Sequence, residues 1–194
     1  MPICMEYNPN YPSYPSDCTN FVSQTMAAGG EPEIGIAQPV YGADGSSSDP
    51  SYWYMIPLNQ RNSYATNAMF TQTWTVVQWW LYFNLYGSNQ STQRAKIIGS
   101  FYYDKGNNTA PANPPYMVPG DVFAYNFTGN SYNGLSHLSI ETQDGNFTDQ
   151  YGYVGDAVDA HTNNRHNIFW TLKDVSPGWA TMSIFYIQIQ PFAP

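Results

Sequence analysis

Residues 17–30 read Asp17-Cys18-Thr19-Asn20-Phe21-Val22-Ser23-Gln24-Thr25-Met26-Ala27-Ala28-Gly29-Gly30, the best-defined helix in the sequence. Ser16 or Asp17 can act as N-cap, and Gly29-Gly30 supplies the stop. Between them Cys18, Phe21, Val22, Thr25 and Met26 recur at helical spacing and form one continuous face. Cys18 therefore sits in the first turn, at the edge of the buried face. The exposed N–H groups and the positive end of the helix dipole favour a thiolate there over a thiol. The same N–H groups can receive a developing oxyanion, so position alone supplies half of an acyl-transfer site. The other half is a base, together with a group that orients it.

Working outward, residues 1–16 are rich in Pro and Tyr and predict an irregular lead-in. Residues 31–73 and 87–119 are loop-rich, dense in Pro, Gly, Ser and Asn. Between these two stretches, residues 74–86 (WTVVQWWLYFNLY) are apolar on nearly every side and predict a buried second helix, with Thr73 as cap and Gly87 as stop. After residue 119 the pattern turns to strands. Gly120-Asp121 leads into VFAYNF, a Gly/Asn/Ser loop into HLSIETQ, and a turn at Asp144-Gly145 precedes a third strand near 153–161. Residues 182–190 alternate and predict the last strand. Helices first and antiparallel strands afterwards give an α+β class, expected as a single domain over 1–194.

With 42% apolar residues the chain can bury a real core. Six Lys+Arg against 14 Asp+Glu give a net charge of −8. So few cations leave little to hold phosphates, which excludes nucleic acid and anionic membrane as expected partners. No run reaches the roughly 20 apolar residues that span a bilayer; residues 74–86 are too short and carry Gln78 and Asn84. Sequons at Asn89, Asn107, Asn126 and Asn146 suggest exposed loops. The chain opens MPICMEYNPN, without the basic start and apolar stretch of a signal peptide. The expectation is a secreted protein whose signal has been removed. Cys4 and Cys18 permit one disulfide or two thiols.

Three histidines make the search for a base short. His137 opens HLSIETQ, His161 ends the following strand, and His166 lies five residues on in a polar turn. Neighbouring antiparallel strands can bring His137 and His161 side by side, one facing the thiol and the other holding its ring. The rival chemistry is a metal site from His137, Asp159, His161 and His166. The spacing of His161 and His166 matches no tight zinc pattern, and no second cysteine lies close by.

The stretch DCTNFVSQTMAAGG, with NPNY just before it, resembles the signature of the amidase-domain family in the papain-like, NlpC-type clan of cysteine peptidases. GDVFAYNF, SHLSIET, DAHTNNRHNIFW and SIFYIQI are similar to later segments of that family, in family order. The matches cover about half of the chain, at 8–32 and 118–190. The resemblance implies a papain-like core with the cysteine helix packed on an antiparallel sheet that presents a histidine. Carried over residue by residue, it implies Cys18 as nucleophile, His137 as general base and His161 as the group that orients the imidazole. It implies that Asp17 helps bind a substrate's free amino group, with Tyr11 or Tyr14 lining the same pocket. It further implies a Cys18 thiol, not a bridge to Cys4. The implied substrate is a peptide or peptidoglycan fragment, and no metal or organic cofactor is called for.

Six Trp and 17 Tyr also suit rivals of other classes. One is a secreted glycan-binding module that stacks rings on sugars; another is an inactive amidase kept as a binding protein. Loss of turnover, but not of folding, in Cys18→Ala separates the enzyme from both.

Overall fold

The computed structural model of the protein describes residues 8–35, 46–64, 68–87, 93–104, 109–129, 134–173, 175–176 and 178–190. It forms two compact units, one running to Arg94 and one from Ala95 to Gln190. Helices belong to the first and a six-stranded antiparallel sheet to the second, so the class is mixed α+β, as the order of elements predicts.

In the first unit, helix α1 spans Cys18–Ala28 with Asp17 at the N-cap and Gly29 at the C-cap. Gly30 takes φ +104°, a left-handed value that glycine adopts without strain. Its N–H then bonds Ala27 O at 3.1 Å while Glu31 N–H bonds Met26 O at 3.0 Å. This paired closure satisfies carbonyls that the helix end leaves over. Cys18, Val22 and Met26 are buried as the periodicity predicts, and so are the polar residues Asn20 and Ser23. Those two are satisfied by tryptophan: Trp74 Nε1 donates to Asn20 Oδ1 at 3.0 Å, Trp53 Nε1 to Ser23 Oγ at 3.3 Å, and Ser23 Oγ to Trp74 O at 2.9 Å. Trp53 and Trp74 pack at 4.5 Å between ring centroids, with Phe83 6.3 Å from Trp53. Arg94 closes this cluster, its guanidinium 5.0 Å from Trp53 and 3.7 Å from the Glu31 carboxylate.

The second helix is not continuous. It divides into α2 (Gln72–Thr75), α3 (Val77–Leu81) and a widened turn over Tyr82–Tyr86. The break falls at Val76, which is extended at φ −117° and ψ 124°. Thr73, Thr75, Val76 and Val77 are β-branched and weaken a helix just there. The run is also not buried all round: Val76, Tyr82 and Tyr86 are exposed. The loop-rich residues 31–73 hold a two-residue parallel pair, β1 (Ser46–Ser47) and β2 (Phe70–Thr71), and a 3-10 turn over Leu58–Tyr64.

In the second unit the strands are β3 (Ala95–Tyr102), β4 (Val122–Asn126), β5 (His137–Thr148), β6 (Val154–Ala160), β7 (Arg165–Phe169) and β8 (Ser183–Ile189). Their order is β3-β8-β4-β5-β6-β7. The edge strands β3 and β7 are absent from the sequence reading. The turn expected at Asp144-Gly145 is instead an irregular stretch within β5, where the pairing with β6 shifts between Gln143 and Phe147. The chain reverses at 149–152, where Asp149 Oδ1 accepts the N–H groups of Tyr151 and Tyr153. Gly120-Asp121 does start β4, and Asp121 accepts the N–H groups of Val118 and Ile189. The sequon residue Asn126 is buried in β4 rather than in an exposed loop, whereas Asn146 is exposed; Asn89 and Asn107 lie outside the described residues.

Register sorts the sheet into two faces. Phe123 pairs with Ser139 and Tyr186, and Tyr125 with His137 and Ile184, so these share a face. That face carries an aromatic core in which Trp170 stacks on Phe123 at 5.4 Å and meets Tyr186 edge-on at 5.5 Å. Val122, Ala124, Leu138, Ile140 and Ile187 lie on the other face and are also buried. Four tryptophans, Trp53, Trp74, Trp80 and Trp170, are fully buried and serve as core.

Candidate active site

The start of α1 is held by a hydrogen-bond relay. Asp17 is 1% exposed, and its Oδ1 accepts the Tyr14 N–H at 3.1 Å and Asn20 Nδ2 at 2.8 Å. Asn20 Nδ2 also donates to Pro12 O at 2.9 Å, while its Oδ1 takes the Trp74 indole proton. The lead-in is thereby tied to the helix start, and Asp17 works as its clamp. Cys18 is the first residue of the helix, 6% exposed and a thiol, with Sγ 3.8 Å from Thr19 Oγ1. Cys4 lies outside the described residues.

The two tyrosines left open by the sequence separate here. Tyr11 stacks on Trp74 at 6.2 Å and lines a cavity of about 530 Å³ with Gln24, Ala27, Glu31 and Glu33, along the later turns of α1. Burial and the Glu33 charge raise its hydroxyl pKa above the ordinary value of 10.0. Tyr14 meets Phe70 at 6.0 Å and lines a second cavity of about 610 Å³ with Pro12, Ser16, Arg61, Phe70 and Thr75. Ser16 places this second cavity beside the helix start. Arg61 donates through Nε to Ile56 O at 3.4 Å, and its Nη2 is buried without a hydrogen-bond partner. Sequence reasoning passed over Arg61. The available signal was scarcity, because Arg61 and Arg94 are the only cationic side chains before residue 95 and Arg94 pairs with Glu31.

In the second unit His137 is the first residue of β5, 7% exposed, with its ring 5.7 Å from Tyr125 and 5.9 Å from Phe127. Burial lowers its pKa to about 4, and the Arg165 charge adds to the effect. Its Nε2 is buried without a hydrogen-bond partner. At neutral pH the ring is therefore uncharged, and it is a weaker base than an ordinary imidazole. His161 directly follows β6 and is equally buried. Since Ile140 pairs with Asp159, His137 and His161 come to the same end of adjacent strands. Counting back along that register sets position 137 on the Ser139 face and position 161 on the Leu138 face.

Of the four residues weighed as a metal site, Asp159 and His166 are joined. His166 Nδ1 lies 3.0 Å from both Asp159 oxygens, and Asn167 N–H donates to Oδ1 at 2.7 Å. Among the described residues, the group close enough to hold a cation is a different one, Glu141, Asp144 and Asp156. No helix among the described residues is long and apolar enough to cross a membrane.

No curated protein and no solved structure matches the chain. A family match does exist, to the description "Putative amidase domain", and it runs from residue 3 to residue 187. It takes in α1 with its cysteine and every strand from β1 to β7. Matched over nearly its whole length, the chain belongs to this amidase-domain family.

Proposed function

We propose that the protein is a papain-like cysteine amidase of the NlpC type, acting outside the cell on amide bonds in bacterial cell-wall peptide stems. The observation that carries this reading is the Cys18 thiol at the first position of α1, in a helix start clamped by Asp17, Asn20 and Trp74. His137 accepts the Cys18 proton and the sulfur attacks the amide carbonyl carbon. N–H groups of the first turn of α1 hold the oxyanion. The C–N bond then breaks as His137 returns the proton to the leaving amine. Water, deprotonated by the same ring, attacks the thioester, and the C–S bond breaks to release the acid and the thiol. In this reading the charge of the thiolate stabilises the imidazolium, against the burial that lowers the His137 pKa. Tyr14 and Arg61 line the substrate cavity, where the unpartnered Nη2 suits a peptide carboxylate. Asp17, next in sequence to the cavity-lining Ser16, contributes to binding a substrate's free amino group.

Digestion of purified peptidoglycan by wild type and Cys18→Ala, with products identified by mass spectrometry, tests the reading. Wild type is expected to release new amine and carboxylate termini, and Cys18→Ala to lose this activity while keeping its fold by circular dichroism. Identical product profiles would remove Cys18 from the chemistry. Glycan binding without hydrolysis in both proteins would favour the sugar-binding rival.

A further inference from the structure

We propose that Glu141, Asp144 and Asp156 form a binding site for one hard divalent cation, Ca²⁺ in preference to Mg²⁺, that pins the irregular part of β5 to β6. One carboxylate oxygen from each residue lies within 4.8 Å of the others. Clustered acids alone are common, but these are not solvated surface acids. Glu141 and Asp156 are each 1% exposed. Both Glu141 oxygens, and Oδ2 of Asp156, are buried without hydrogen-bond partners. Among the described residues no cationic side chain is ion-paired with any of the three.

The contrast within Asp156 is informative. Its Oδ1 is satisfied, accepting Gly145 N–H at 2.8 Å and, with the Asn113 amide turned so that its nitrogen faces the acceptors, Asn113 at 2.9 Å. Its Oδ2 is left for something else. Burying a carboxylate without partners costs several kcal/mol, and neighbouring like charges add to that cost. A cation removes both penalties at once.

The donor set names the class. Oxygen-only ligands suit Ca²⁺, Mg²⁺ or Mn²⁺, whereas zinc sites draw on His and Cys. Two available oxygens on Glu141 permit bidentate ligation, a habit of Ca²⁺. Asp144 is exposed, so the site opens to solvent for ion entry and for water ligands. Gly145, at φ +99°, turns the backbone between Asp144 and the Asp156 side chain that its N–H contacts. The cation would thus staple β5 to β6, the strands whose other ends carry His137 and His161.

The test uses the full chain freed of metal with a chelator, at constant ionic strength, with Ca²⁺ and Mg²⁺ added separately. Calorimetric titration is expected to show one Ca²⁺ per chain, bound about tenfold or more tightly than Mg²⁺, with a rise in Tm. Asp144→Asn, at an exposed position, should fold normally and bind Ca²⁺ about tenfold or more weakly. Glu141→Gln should abolish the Ca²⁺-dependent rise in Tm while keeping the wild-type fold in chelator by circular dichroism. Absence of binding at millimolar Ca²⁺, unchanged affinity in Asp144→Asn, or tighter binding of Mg²⁺ would each overturn the proposal. Cys18→Ala should bind Ca²⁺ as wild type does, which keeps this result separate from the amidase reading.

Discussion

His137 and Glu33 show how burial sets protonation at single residues here. Folded His137 stays neutral down to about pH 4, whereas an unperturbed histidine titrates near 6.5. The stability contributed by its neutral form is complete above pH 6.5 and is lost as pH falls from 6.5 toward 4, on the order of 3 kcal/mol by the acid end. Glu33, pushed up to about 7 by burial, acts in the opposite sense: its contribution is present at acid pH and is lost as pH rises through 7. The His137 part is therefore read as a difference. Urea unfolding of wild type and His137→Gln at a series of pH values should show a gap that narrows or reverses below pH 6. Parallel profiles would mean that the imidazole is solvated. Arg61 belongs to this scale as well, since its significance lies in one unpartnered nitrogen beside a cavity, and no motif surrounds it.

Among the elements, the strands depend on close backbone approaches that side chains would block. Gly155 in β6 is the clearest case. A Cβ there would stand 2.1 Å from Ala112 O, and φ is +151°. Asp156 N–H donates to that same oxygen at 3.1 Å, so the 109–113 segment lies directly on β6. Gly155→Ala is expected to destabilise the protein by about 2–3 kcal/mol, measured by chemical denaturation; an unchanged midpoint would show that this segment is free to shift. The same scale explains which elements were legible. Helix α1 was, because its cap, periodic face and Gly-Gly stop are all local. Strands β3 and β7 were not: Lys96, Gly99 and Ser100 interrupt one, Arg165, His166 and Asn167 the other, and each gains its pairing from a neighbour on one side only. Val76 shows the converse, a helical pattern broken where β-branched residues gather and where both Trp74 and Trp80 are buried.

For the whole molecule the dominant long-range term is charge. A net charge of −8 with six cationic side chains means self-repulsion at neutral pH. Raising NaCl from 10 to 200 mM should therefore raise Tm by a few degrees, as the screening length falls from about 30 Å toward about 8 Å. A Tm that falls with salt would show that attractive pairs such as Arg94–Glu31 outweigh the repulsion. The sequence by itself determined the α+β class, the helix that begins at Cys18, the strands that begin with Val122 and His137, and the family. Each is written in spacing, capping or motif order along neighbouring residues. Only the tertiary structure decided that Tyr14 and not Tyr11 lines the cavity at the helix start, that Arg61 joins it, and that Glu141 meets Asp144 and Asp156. Those outcomes depend on strand register, burial and loss of solvent, which arise between residues far apart in the chain.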